Sequence, residues 1–326
     1  TFFKCLYTLS SSCAMVTQCQ RHHLRIRRYM LTRFFSSTTK KHAHLVGMSI
    51  SASALHVVAI DISGDTPSLH SSTSHPLEKG MGIGEQLSKH LASFDKLHCH
   101  VAIAIEQDAY QLVQTDKPDV PDEDIRTALP WTISEMVPFD ASNMVLDYID
   151  YPAASRGGKK KVNVFVAERA PMADIVATLT KLKGKVLTHI HVKEVLATSM
   201  MPDDEYARLL IIQEPDSEPF LLIVRSRVIW LARRLRGFVD KMQGQTDMTQ
   251  FSDALGLEIQ RSMDFYESQL KQPPLKEVLF KTQFDCAPVI ERLKPFQPAA
   301  MAPFTTELLF SDVVHSDNHF ALASAL

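Results

Sequence analysis

The sequence predicts an α/β protein of two lobes, made by duplication of a βββαβ unit, with a subdomain inserted in its first half. Three observations predict it. Residues 45–106 and 208–280 run through the same order of three strands, a helix and an apolar strand. Between them lies a proline-marked stretch, residues 121–151, whose pattern belongs to neither repeat. The 326 residues, 45% of them hydrophobic, can bury a core large enough to divide into two domains. The repeat is far too long for a solenoid.

In the first unit, residues 45–50 and 55–61 read as strands across the small-residue turn Ser51, Ala52, Ser53, Ala54. Residues 68–72 read as a third strand after a turn at Gly64 and Pro67. Residues 85–94 form a short amphipathic helix with Leu87 and Leu91 inward, and residues 98–106 a strongly apolar strand. Residues 162–167 return to strand, 171–182 to a helix with Pro171 in its first turn, and 188–192 and 195–200 to a strand and a buried helical turn. The second unit has strands at 208–213, 219–226 and 227–235, then a long helix at 249–270 with Phe251, Leu255, Ile259, Met263, Tyr266 and Leu270 on one side. A strand at 275–280, a helix at 286–293 and a short segment at 299–304 complete it. The domains expected are a first half at 45–205, with an insert at about 85–165, and a second half at 206–310. Residues 311–326 read as a polar, frayed tail.

The interrupting stretch opens at Pro121, a helix-starting residue, with Asp122, Glu123 and Asp124 placed to meet the positive helix end. Ile125, Leu129, Ile133 and Met136 recur on one helical face, and Pro130 removes a backbone donor and kinks the axis. Val137, Pro138 and Phe139 end the helix, and residues 144–151 alternate as an edge strand. No catalytic group stands out, so the stretch reads as a docking surface.

The net charge of −2 gives no global basic field, so nucleic acid is not an expected partner. The balance is uneven: residues 1–60 hold no acid, against Lys4, Arg21, Arg25, Arg27, Arg28, Arg33, Lys40 and Lys41. Residues 1–44 therefore form a basic segment with three readings: in-frame sequence upstream of a start at Met30, a transit peptide, or a membrane-surface tail. The first is preferred. Five cysteines do not make a disulfide framework in a chain this long, and Cys99 and Cys286 read as buried thiols of a reducing compartment. No run of 18 apolar residues predicts a transmembrane helix.

On its motifs the chain resembles the PilM family of type IV pilus assembly proteins, and within it the MshI proteins of the MSHA pilus system. The resemblance spans about residues 45–309. It rests on Pro121 to Asp124; on Ala128, Leu129, Pro130 and Trp131; on Val137, Pro138 and Phe139; and on Leu146, Asp147 and Tyr148. The strand at 162–167 leading into its helix, and the run from Glu258 to Tyr266, add to it. The element at 128–131 with its kinking proline looks more like MshI than PilM itself. The resemblance implies a two-lobed actin-like (ribonuclease H-like) fold related to FtsA. It also implies an adaptor at the cytoplasmic face of the bacterial inner membrane. That adaptor binds the N-terminal tail of a PilN-like membrane protein beside the inserted subdomain and joins the assembly platform to the secretion ATPase. The partner-binding residues expected are Ile125, Leu129, Trp131, Ile133 and Phe139; a core-anchoring role for Trp131 and Phe139 is the alternative.

Actin-like ATPases need glycine turns that let backbone N–H groups approach phosphate, and carboxylates to organise Mg²⁺. The first turn here carries Gly47, but Ser49, Ile50 and Ser51 stand where the family has an aspartate and a glycine, and His56 stands for its lysine. The second turn, 213–219, has no glycine, and residues 281–284 replace the expected glycine pair near adenine. Gly47, Ser49, Ser51 and Ser53 are left as a vestigial nucleotide site. The expectation is a non-catalytic adaptor without cofactor; an active ATPase of the same machine, binding ATP, is the alternative. His98 with His100 and His189 with His191 share strand faces but assemble no four-ligand zinc set. Arg225, Arg227, Arg233, Arg234 and Arg236 form a local basic cluster that reads as a solvated strand face.

Overall fold

The structure, a computed structural model, describes residues 43–94, 97–152, 158–239 and 248–326. The readings of residues 1–42 lie outside the described residues. In chain order the first lobe has β1 (Ala43–Ile50), β2 (Ala54–Asp61), β3 (Ser68–Pro76), α1 (Ile83–Leu91) and β4 (His98–Ala104). The chain then leaves for β5 (Tyr110–Asp116), α2 (Ile125–Thr132), β6 (Met144–Asp150) and β7 (Lys161–Glu168). It returns through α3 (Arg169–Thr180), β8 (Lys185–His191) and α4 (Lys193–Met200). The second lobe has β9 (Arg208–Ile212), β10 (Phe220–Arg225), β11 (Val228–Arg234), α5 (Met248–Asp264), β12 (Glu277–Lys281), α6 (Ala287–Leu293) and β13 (Ala300–Pro303), followed by α7 (His319–Ala325).

The duplication holds strand by strand. The first sheet is ordered β3-β2-β1-β4-β8 and the second β11-β10-β9-β12-β13. In each, the three leading strands pair antiparallel and the last two add in parallel. The parallel additions require crossovers, which the helices supply. From Val101 onward β4 is an apolar, buried run, because this part of a parallel strand is covered on both faces.

Four apolar clusters order the layers. α1 and α3 cover the outer face of the first sheet through Leu87, Leu91, Met172, Ile175 and Leu179. α5 and α6 cover the outer face of the second through Phe251, Leu255, Ile259, Val289 and Leu293. Between the sheets, α4 and α7 fill the space with Leu196, Met200, Phe320 and Leu322. The fourth cluster belongs to the insert, where α2 packs on the antiparallel sheet β5-β7-β6.

Three sequence expectations change. The insert runs from Tyr110 to Glu168 rather than 85–165, because α1 and β4 are core elements of the first lobe. β5, read as unassigned, is an edge strand. Residues 311–326 are not a frayed tail: Phe320, Ala321 and Leu322 have no exposed surface. Burying Phe320 and Leu322 contributes about 1.5–3 kcal/mol each, which holds a helix of seven residues that would not persist alone. Among the described residues no helix is long and apolar enough to cross a membrane.

Candidate functional site

The turn between β1 and β2 is closed by its own serine. The Ser51 hydroxyl donates to the Ala54 carbonyl at 3.0 Å and accepts from the Ala54 N–H at 3.1 Å. Beyond the turn, His56 Nδ1 lies 2.9 Å from both Ser74 Oγ and Asn318 Oδ1, and Asn318 Nδ2 donates to Ser72 at 2.8 Å. The segment before α7 thus occupies the polar groups of β2 and β3 at this end of the sheet. Gly47 is a packing glycine. A Cβ built on it would sit 2.6 Å from the Ala325 nitrogen and closer still to the Ala321 carbonyl oxygen, so it lets α7 lie directly on β1. Ser49 is fully buried on the same strand, and only Ser53 is exposed. Of the four residues assigned to a vestigial nucleotide site, Gly47 is spent on α7, Ser49 is buried and Ser51 is spent on its own turn.

A cavity of about 290 Å³ remains beside this corner, lined by His56, Glu214, Lys281, Asp285, Asp317 and His319 among others. Its lining carries three carboxylates against one lysine, a poor electrostatic match for a polyphosphate. Glu214, the buried acid of the second turn, is engaged by the fully buried Lys193 at the start of α4. Glu218 accepts from the backbone N–H groups of Gly237, Phe238 and Val239. Lys281 donates to the Ser316 carbonyl at 3.1 Å, and burial lowers its affinity for a proton. A second buried set, Tyr110 donating to Glu194 with Arg234 at 3.6 Å, joins insert, first lobe and second lobe. Sequence reasoning missed Lys193 and Glu214. The run 192–197 carries Lys193 and Glu194 among apolar residues, which marks Lys193 as a charge entering the core, but nothing local marks Glu214 as its partner.

Burial holds His56, His90, His100 and His319 below their ordinary 6.5. The unfolded chain takes up these protons first, so stability falls as pH drops below 6.5 and levels off below the folded values. Glu106, raised by burial above its ordinary 4.5, has the opposite sign: it favours the fold in acid and loses that contribution as pH rises. Above its range the histidines decide. The melting temperature is expected to fall steadily between about pH 7.5 and 5.5; a flat profile there would show these rings exposed.

The docking stretch divides by face. Ile125, Leu129 and Ile133 have no exposed surface and form the core of the insert with Val113, Val162 and Val164. They support α2 and are closed to direct contact with a partner. Phe139 is half-buried against the same cluster, and Trp131 alone of the five is exposed, at 75%. Ile133→Val should therefore cost about 0.5–1.5 kcal/mol in urea unfolding. A neutral result would place Ile133 outside the core. Arg126 holds Asp147 at 2.7 and 3.0 Å, tying α2 to β6.

Other groups singled out in the sequence serve the fold. His189 and His191 stack at 5.3 Å, and among the described residues no cluster of three metal-ligating side chains exists. Arg233 and Arg234 pair with Glu258 and Glu194 rather than facing solvent alone. Cys99 and Cys286 are free and buried, which raises both thiols.

Neither a protein-family model nor a curated protein sequence matches the chain. Solved structures do. A chain of a PilM-PilN type IV pilus biogenesis complex is similar with TM-score 0.62 and 18% identity, over 86% of this chain and 97% of that one. The cytoplasmic domain of EpsL, an inner-membrane component of the type II secretion system of Vibrio cholerae, is similar with TM-score 0.51 and 13% identity, over 86% and 92%. A Bacteroides thetaiotaomicron protein with an actin-like ATPase fold and unknown function gives TM-score 0.52 and 9% identity, over 87% and 96%. At these identities the likeness is one of fold: the chain has a PilM-like, two-lobed actin-like fold.

Proposed function

We propose that the chain is a non-catalytic adaptor of a type IV pilus assembly machine of the MSHA type. It binds the cytoplasmic N-terminal tail of a PilN-like inner-membrane protein through the inserted subdomain. The observation that carries the reading is the corner where an actin-like fold would hold phosphate: there Gly47 packs against α7 and Lys193 engages Glu214. An actin-like scaffold whose first phosphate turn is packed shut and whose buried second-turn acid is engaged has its surface left to work with. The near-complete coverage of a chain from a PilM-PilN complex supports the choice of partner, and the residues at 128–131 support MshI within that family. In this reading the protein works without cofactor in the cytoplasm, at the inner face of the membrane, between the assembly platform and the secretion ATPase.

The alternative, an active ATPase of the same machine, rests on the cavity beside Lys281. Calorimetric titration of the purified chain with a PilN-like N-terminal peptide, and separately with Mg-ATP, decides between them. Peptide binding without nucleotide binding is the expected result. Tight Mg-ATP binding accompanied by hydrolysis would overturn the adaptor reading in favour of the ATPase.

A further inference from the structure

We propose that the solvent face of α2, centred on Trp131, docks a basic segment of the partner carrying apolar anchors. The proposal rests on the adaptor reading and specifies where and by what chemistry the partner is held. Trp131 lies two residues from both Leu129 and Ile133, about 200° around the helix from the buried face. Its indole is 75% exposed, Met136 just beyond the helix is 51% exposed, and Val120 before it is 40% exposed. A large aromatic left in water, with a second large apolar side chain exposed five residues on, marks an interaction surface.

The charges around it define the occupant. Asp119, Glu123, Asp124, Glu135 and Asp140 are exposed, and none has an ion pair among the described residues. Asp124 stands seven residues before Trp131, on the same side of the helix. Most other acids of the insert have a cation beside them: Asp147 pairs with Arg126, Asp122 and Asp150 share Lys117, and Asp116 pairs with Lys159, while Glu168 at the end of β7 accepts from the Asn143 amide. Glu168 apart, the carboxylates of the insert without an ion pair therefore lie between Asp119 and Asp140, along the segment that exposes Trp131 and Met136. An anionic membrane surface or an acidic partner would be repelled. Arginine or lysine would meet both the carboxylates and the indole face, while aliphatic side chains cover Met136 and the indole edge.

Strand addition on β6 is the less favoured geometry. The Tyr148 N–H donates to the Asp147 carboxylate at 2.9 Å, and the Met144 carbonyl accepts from Arg169 at 2.9 Å, so backbone groups of that strand are already engaged. Recognition falls instead to side chains on the helix face.

The test uses the protein's two tryptophans. In a Trp230→Phe variant of the full chain, Trp131 is the only indole, and its emission reports on this face directly. The probe is an acetylated peptide of about ten residues alternating arginine and leucine, and the control replaces each arginine by glutamate. The basic probe should shift the emission to the blue, with affinity falling as salt rises from about 50 to 500 mM; the acidic control should not bind. Combining Glu123→Gln, Asp124→Asn and Glu135→Gln should weaken the probe about tenfold in a variant that still unfolds cooperatively, its melting temperature slightly lowered by the charges lost at the start of α2. Equal binding of probe and control, an unmoved emission, or a blue shift that grows with protein concentration alone would each overturn the proposal. A PilN-like peptide that binds by calorimetry without moving the Trp131 emission overturns this site and leaves the adaptor standing. A PilN-like peptide that does not bind overturns the adaptor, and with it the partner assigned here.

Discussion

Replacing Lys193 by methionine should destabilise the folded protein by about 3–5 kcal/mol, the cost of leaving a buried charge without its partner. Lys193 is fully buried, and the Glu214 carboxylate that it engages is only 8% exposed. The pair joins the first turn of α4 in the first lobe to the turn after β9 in the second. Methionine keeps most of the side-chain volume against Phe320, whose ring lies 5.7 Å from the ammonium, so the loss isolates the charge rather than the packing. The neighbouring Lys281 is 5.3 Å from the same ring and already committed to the Ser316 carbonyl, so it does not take over Glu214 without breaking that bond. The double variant Lys193→Met/Glu214→Leu should recover most of the loss, because an apolar pair of similar volume removes both desolvation costs. Urea unfolding of the two variants reads this directly. A single variant within about 1 kcal/mol of the parent would mean that water reaches Glu214 and that the tie contributes little.

That pair also shows which parts of the molecule are legible in the sequence. The doubled sheet is legible because its strands are apolar runs bounded by strong turn signals: 45–50 and 55–61 flank four small residues, and 208–213 and 219–226 are separated by a turn holding Pro215, with Pro219 opening the second strand. The supporting face of α2 is legible because Ile125, Leu129 and Ile133 keep helical spacing, but periodicity identifies a buried face and not what it is buried against. It is the core of the insert, which moves the contact role from those residues to Trp131. β5 escapes because an edge strand burying only Tyr110 and Val113, with Gln111 and Gln114 between and after them, keeps no alternation. The phosphate corner is the least legible. Gly47 and the serines after it have the composition of a ligand turn, but what covers Gly47 comes from residues 321–325. No local pattern links positions so far apart. Lys193 and Glu214 are hidden for the same reason: each is an ordinary charged residue until the lobes close on both.

Gly47→Ala should cost more than its single added methyl group suggests, about 3–6 kcal/mol. The β1 backbone at this position is hydrogen-bonded on both sides, opposite Val58 of β2 and Ala102 of β4, so the strand has no room to retreat. The new Cβ would meet two backbone atoms of α7, the Ala321 oxygen and the Ala325 nitrogen, and backbone cannot rotate away as a side-chain end can. The helix must therefore lift. Lifting it exposes Phe320 and Leu322, at about 1.5–3 kcal/mol each, which sets the size of the effect. Asn318 is carried on the same segment, so its bonds to His56, Ser72 and Ser74 go with it. Thermal unfolding and digestion by carboxypeptidase give two readouts: the variant should melt lower and lose its last residues under conditions where the parent keeps them. Gly64→Ala is the control, since a Cβ there meets nothing nearer than 3.6 Å and should leave both readouts unchanged. Parent-like stability with a protected C-terminus in Gly47→Ala would show that α7 does not rest on β1, and the reading of Gly47 as a packing residue would fall with it.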